Sequence, residues 1–396
     1  AGHVLAILAP GQGAQTPGFL TPWIEAVPGF ADRLRWWSTV VGVDLVSAGT
    51  VWDADRIRDT AVAQPLLVAA GLATADALFR SDSAKRAVEV VAGHSVGELT
   101  TAALSGALSP EAALALVGAR GKAMAAAAAL EPTGMSAILG GDPAEVLAHI
   151  EALDLTAANH NGAGQVVAAG RQENLDKLKA EPPAGARVIP LSVAGAFHTS
   201  FMAPAAEHLE TFIGGVTVRD PDVLLLSNAE GAVVSSGADL LQRLVRQVAA
   251  PVRWDLCLKT LDQLGVTAVI ELTPGGTLSG LVKRTLKGVE TLAVKTPDDL
   301  PAAHALIVAH KRVTPEAAPA WRLVVSPVAG LFVPAETAIG SVVAARDTIG
   351  TVDSRGRQET VVATHGGVLV EWLAESGDPV NPGQPLARLH PTEAPA

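Results

Sequence analysis

Apolar residues recur along the first three hundred positions in two rhythms. Short, nearly continuous runs of valine, isoleucine, leucine and alanine predict buried strands. Longer stretches with apolar positions three and four apart predict helices. Residues 4–9 predict a first strand, which ends in the Gly-rich turn Pro10-Gly11-Gln12-Gly13-Ala14-Gln15. Helical patterns follow over 30–40 and 64–78, and 88–92 predicts a second strand. Ser109-Pro110-Glu111 reads as an N-cap with proline at the first helical position, opening a helix that runs through Arg120 toward Leu130. Between 131 and 194 the rhythm changes. Strands at 135–139, 155–158, 165–169 and 187–191 alternate with helices at 143–153 and 172–179. This β-α-β-β-α-β order is ferredoxin-like, and 131–194 reads as a subdomain inserted into a larger α/β unit made of 1–130 and 195–312. Beyond it come strands at 223–227, 268–272 and 291–294, with helices at 239–248 and 277–286. Such alternation predicts a mostly parallel sheet covered by helices on both faces.

The pattern then breaks. Thr314-Pro315-Glu316-Ala317-Ala318-Pro319 has the composition of a linker, placed at 313–321. Residues 322–392 are short Val-rich runs separated by glycine and proline, which predicts a small all-β module. It carries an internal echo: Pro327-Val328-Ala329-Gly330-Leu331-Phe332-Val333 resembles Thr364-His365-Gly366-Gly367-Val368-Leu369-Val370. Two similar halves predict a sandwich with approximate two-fold symmetry.

The most chemically suggestive stretch is Gly93-His94-Ser95-Val96-Gly97-Glu98, at the junction of a predicted strand and a helix-prone run. A serine between two glycines at such a junction is a nucleophile elbow, with the hydroxyl pushed out above the sheet edge. A serine nucleophile needs a base and an oxyanion hole. Of ten histidines, His198 in Gly195-Ala196-Phe197-His198-Thr199 is the best placed, where the chain returns from the insertion. Asp142, Asp154 and Asp176 all fall within the insertion, so a dyad is expected, with His198 fixed by an amide or a backbone carbonyl. The N–H of Val96 is offered by the elbow, and the Gly11-Gln12-Gly13 turn can supply a second donor. A P-loop reading of that turn fails, because no Gly-Lys-Ser/Thr follows it.

Composition narrows the partners. Among 396 residues, 29 Lys and Arg face 40 Asp and Glu, a formal charge of −11, which disfavours nucleic acid. Cys257 is the single cysteine, so neither a disulfide framework nor a zinc cluster is expected, as fits a reducing cytoplasm. No signal peptide is read at the start and no apolar segment is expected to span a bilayer.

Several ordered motifs then point one way: Pro10 to Gln15, Gln64-Pro65, Gly93 to Glu98, Arg120-Gly121 with Met124, Asn159 to Gln165, Ala196 to Thr199, and Pro251-Val252-Arg253-Trp254. Together they resemble the malonyl-CoA:acyl-carrier-protein transacylases of fatty-acid and polyketide synthesis, over residues 4–310. The resemblance implies an α/β-hydrolase-like core. It makes Ser95 the acyl acceptor, His198 its base, and Gln247 the residue that orients the histidine. It puts Gln12 and Val96 at the oxyanion hole, and Arg120 on the free malonyl carboxylate. Met124, Phe197, Asn159 and Asn161 would line the substrate site, with Phe197 the bulky residue linked to malonyl preference. Malonyl-CoA and an acyl carrier protein are the implied substrates, without a permanently bound cofactor. A local basic face would receive the carrier, and Lys283, Arg284 and Lys287 cluster on one helix. The alternative is a serine hydrolase or thioesterase on a related fold. Residues 323–390 resemble a biotinyl/lipoyl carrier domain, with Glu375 to Leu386 as its second-half signature. The matching tip reads Asp353-Ser354-Arg355-Gly356-Arg357, and Lys311 is the last lysine, so no biotin or lipoate is expected. The module is expected to serve packing or protein contact.

Overall fold

The computed structural model describes residues 3–311 and 322–391; the linker expected at 313–321 lies outside them. The first part contains β1 (Leu5–Ala9), β2 (Val88–Gly93), β3 (Thr133–Gly140), β4 (Thr156–Gly162), β5 (Gln165–Arg171), β6 (Ala186–Pro190), β7 (Leu224–Leu225), β8 (Ala268–Glu271) and β9 (Glu290–Ala293). One sheet runs β7-β2-β1-β8-β9, and every neighbouring pair in it is parallel. Parallel strands need both faces covered. Alternate residues of β1 show the division: Leu5 and Ile7 enter one core, Ala6 and Leu8 the other. Helices Thr60–Leu78 and Pro110–Ala128 pack together in the first core. Helices Trp254–Gln263 and Thr277–Thr285 fill the second.

The structure bears on the expected elements in three places. Helix Thr60–Leu78 is long and apolar enough, by length and composition, to cross a bilayer. In this fold it is instead a core helix, buried almost continuously from Ala63 onward. The strand expected at 223–227 is only Leu224–Leu225, because the chain turns back at once. Ser227 N–H donates to the Ala232 carbonyl (2.9 Å) and Val234 N–H to the Leu225 carbonyl (2.8 Å). Helices Ala203–Phe212 and Trp254–Gln263 were not foreseen.

Strands β3 to β6 form a separate antiparallel sheet, in the order β4-β5-β3-β6. Helices Pro143–Ala152 and Gln172–Ala180 give it a small core of its own, including Ile138, Ile150, Leu175 and Leu178. Its two ends lie side by side, where Ala196 N–H donates to Thr133 Oγ1 at 3.1 Å.

The C-terminal part contains β10 (Arg322–Val325), β11 (Gly330–Pro334), β12 (Val342–Val343), β13 (Thr348–Ser354), β14 (Arg357–Val362), β15 (Gly367–Trp372), β16 (Pro379–Val380) and β17 (Pro385–Pro391). They make two four-stranded sheets, β10-β17-β15-β12 and β14-β13-β11-β16. The echoed segments supply β11 to one sheet and β15 to the other. At matching places Phe332 and Leu369 are both buried in the module's core. The next pair differs: Leu331 is 51% exposed, whereas Val368 is 0% exposed and belongs to the second core of the main unit. The sheet holding β15 therefore lies against the main unit. Val233 N–H donates to the Gly340 carbonyl across the seam (2.9 Å).

Candidate active site

The turn after β2 is as tight as two glycines allow. A Cβ on Gly93 would sit 2.1 Å from the Gly97 carbonyl, and one on Gly97 would sit 2.3 Å from the Ala9 oxygen. Ser95 between them adopts φ 54°, a left-handed conformation that costs a side-chain-bearing residue free energy. One residue far along the chain holds it there. Asn228, fully buried just after β7, accepts from Ser95 N–H through Oδ1 (2.8 Å) and donates to the Gly93 carbonyl through Nδ2 (2.7 Å). Its backbone N–H donates to Glu98 Oε2 (3.1 Å), and its carbonyl accepts from Arg253 N–H (2.7 Å).

Ser95 Oγ lies 2.7 Å from His198 Nε2. His198 Nδ1 lies 2.8 Å from the Gln247 carbonyl oxygen, which can only accept. That contact puts the ring hydrogen on Nδ1 and leaves Nε2 as acceptor for the serine hydroxyl. Gln247 thus acts through its backbone. Its side-chain Nε2 donates to the carbonyls of Ala250 (2.9 Å) and Pro251 (2.8 Å), bracing the turn that follows. Burial, then the nearby Arg120 charge, push the His198 imidazolium down to about 3, so the ring is neutral at physiological pH. His94, beside Ser95, lies 2.8 Å from Asn161 Oδ1 through Nε2.

The N–H groups of Val96 and Gln12 donate to no acceptor among the described residues. The Gly-rich turn approaches the elbow closely: a Cβ on Gly11 would meet the His94 oxygen at 2.9 Å. Gln15 holds that turn, accepting from Gly13 N–H (2.8 Å) and donating to the Ile57 carbonyl (3.2 Å). The Gln12 side chain points away, donating to Thr60 Oγ1 (3.3 Å).

Arg120 projects from the middle of helix Pro110–Ala128 and is buried. Its Nη1 donates to Gln64 Oε1 (2.8 Å), whose Nε2 in turn donates to Met124 Sδ (3.3 Å). Arg120 makes no ion pair among the described residues, and its Nε has no partner. Burial lowers its pKa to about 10, so it remains a cation. Asn159 Oδ1 is likewise buried and unpartnered. Buried polar atoms without partners are rare, and here they mark places a polar ligand can fill. Phe197 is buried next to His198. Lys283, Arg284 and Lys287 are exposed on the last turn of helix Thr277–Thr285 and just beyond it. They lie at the end of that helix farther along the chain from β8.

The sequence pattern of the acyl transferase domain matches residues 8–309. The chain belongs to the acyl transferase family. The malonyl CoA-acyl carrier protein transacylase of Mycobacterium tuberculosis is 51% identical over 297 residues, covering 75% of this chain and 98% of the relative. A crystal structure of MCAT from the same species superposes with a TM-score of 0.74 at 50% identity, over 76% of this chain and all of the other. A malonyl-transacylase in complex with its type II PKS acyl-carrier protein superposes at 0.71 with 29% identity, over 76% and 99%. The acyl transferase match ends before the β-sandwich begins. Two residues of the candidate site were missed by sequence reasoning, Gln64 as the partner of Arg120 and Asn228 as the brace of the elbow. Gln64 stood in a quoted motif without a role. The signal for Asn228 was the polar pair Ser227-Asn228 at the C-terminal end of an apolar run, on the edge where Ser95 emerges.

Proposed function

We propose that the chain moves a malonyl group from coenzyme A to the pantetheine thiol of an acyl carrier protein through an ester on Ser95. The reading is supported above all by the 2.7 Å contact of Ser95 Oγ with a neutral, carbonyl-anchored His198. The names of the relatives agree with it. Ser95 Oγ attacks the thioester carbonyl while His198 Nε2 takes its proton. The Val96 and Gln12 N–H groups receive the tetrahedral oxyanion. As the C–S bond breaks, the imidazolium returns its proton to the coenzyme A sulfur, leaving malonyl-Ser95. The carrier thiol then loses its proton to His198 and attacks the ester, and Ser95 is regenerated. Arg120 grips the free carboxylate throughout, which a guanidinium does through two parallel bonds.

In this reading residues 131–194 are a ferredoxin-like insertion into an α/β-hydrolase-like core of 1–130 and 195–312, and 322–392 a biotinyl/lipoyl-like sandwich. The sandwich does not fit a prosthetic group. Its β13–β14 tip, Arg355-Gly356, offers no lysine, and none follows Lys311. Intact-mass measurement tests both parts. The purified chain should weigh what its sequence weighs. With malonyl-CoA it should gain one malonyl group, which the carrier removes and Ser95→Ala abolishes. Rapid loss of the label as free malonate would instead mean hydrolysis.

A further inference from the structure

The β-sandwich lies outside the acyl transferase match, yet part of its contact with the main unit falls on the hairpin that braces the elbow. Residues 225–234 fold back on themselves through the Leu226–Val233 bridge, with Asn228 at the tip. The inner arm is tied to the sheet, where Leu226 N–H donates to the Val91 carbonyl (3.1 Å). The outer arm is tied to the sandwich, where Val233 N–H donates to the Gly340 carbonyl (2.9 Å). Gly340 is itself anchored in the sandwich, donating to the Leu369 carbonyl on β15 (2.7 Å). Val342, Val368 and Val370 pack into the core that contains Leu224, Leu226 and Val233. The fit at Gly340 is close, for a Cβ there would meet the Val233 oxygen at 2.3 Å, and its φ is 91°. A continuous run of main-chain bonds thus joins the sandwich to the residue that holds Ser95 in its strained conformation.

We propose that the C-terminal sandwich is a positioning device for the nucleophile elbow, acting through Val233 and the Asn228 turn. The sandwich clamps the free arm of the hairpin, and the hairpin clamps both sides of Ser95. Ser95 sits at φ 54°, so its oxygen is placed by that restraint and not by intrinsic preference. Small displacements of a nucleophile cost rate more than affinity. This inference rests on Ser95 as the acyl acceptor.

The test uses the full chain. Gly340→Ala forces the seam apart, through the close approach of its Cβ and the strain at φ 91°, and Asn228→Ala removes the brace. Malonyl-Ser95 formation is followed by intact mass, with kcat and KM for malonyl-CoA and hydrogen exchange of residues 93–98. Gly340→Ala is expected to lower kcat about tenfold at unchanged KM, and to speed exchange in the elbow while β1 stays protected. Asn228→Ala is expected to lose at least as much. The double variant should lose no more than Asn228→Ala, because both act through one element. Val368→Ser loosens the same seam without backbone strain and should give a smaller loss of the same kind. Wild-type kcat in Gly340→Ala and Val368→Ser overturns the proposal, as do losses that multiply in the double variant. Absence of acylation in the wild type would instead overturn the function on which it rests.

Discussion

Both members of the pair sit in left-handed backbone, Ser95 at φ 54° and His198 at φ 61°. Neither conformation is favourable for a residue with a side chain, and each is held by partners distant in sequence. His198 owes its low basicity first to burial and then to the Arg120 charge. In the proposed mechanism its neutral form is the base, and protonation in the fold is displaced toward about 3 from an ordinary 6.5. The acylation rate should therefore persist as pH falls through 6.5, where an exposed histidine would already be charged. A stopped-flow profile with an inflection at 6.5 would contradict this. At Arg120, replacement by lysine keeps the charge but loses the planar fork. Arg120→Lys should lower kcat/KM for malonyl-CoA about 10- to 100-fold and leave acetyl-CoA nearly unaffected, as measured by acylation rates with the two thioesters. Ser95 was legible in the sequence because flanking glycines advertise the turn. The brace was not, because Asn228 meets Ser95 across 133 positions, and the polar pair Ser227-Asn228 marks the end of an apolar run without naming its partner.

At the scale of elements, the junction of β2 with helix Gly97–Leu104 has no room for a methyl group. Gly93→Ala places carbon 2.1 Å from backbone that cannot yield without moving the helix. It should destabilise the fold by about 3 kcal/mol or more and abolish acylation, visible as a lowered melting temperature in parallel with lost label. Most strands and several helices were legible from period alone, since β1 is apolar on both faces, β2 is an apolar run broken only by Glu89, and the helix after Ser109 carries its own cap. Helix Trp254–Gln263 was not seen, although Trp254, Cys257, Leu258 and Leu261 recur at helical spacing on its buried face, because only the motif at its start, Pro251 to Trp254, was read. The strand expected at 223–227 was cut short by a hairpin whose outer arm is paired by the sandwich, a partner no local pattern reveals.

Across the whole molecule, two echoed half-motifs have different fates. Leu331 and Val368 occupy matching places in the sandwich, yet one faces solvent and the other the main core. A charge introduced at each separates repeat from context. Val368→Asp should cost more than about 2 kcal/mol in chemical denaturation, whereas Leu331→Asp should stay within about 0.5 kcal/mol of the wild type. The sequence disclosed the repeat but not the docking, since the two valine-rich strands read alike.

The side-by-side ends of the β3–β6 unit also bear on how the site comes together in time. Ser95 and His198 are 103 positions apart, and 63 of those lie between Thr133 and Ala196, which are hydrogen-bonded. Once that unit has folded on its own core, the remaining loop to be closed is about 40 residues. By the logarithmic dependence of loop entropy, this lowers the cost of bringing serine to histidine by about 0.8 kcal/mol. A segment that adds length to the chain thereby shortens the search that assembles the pair.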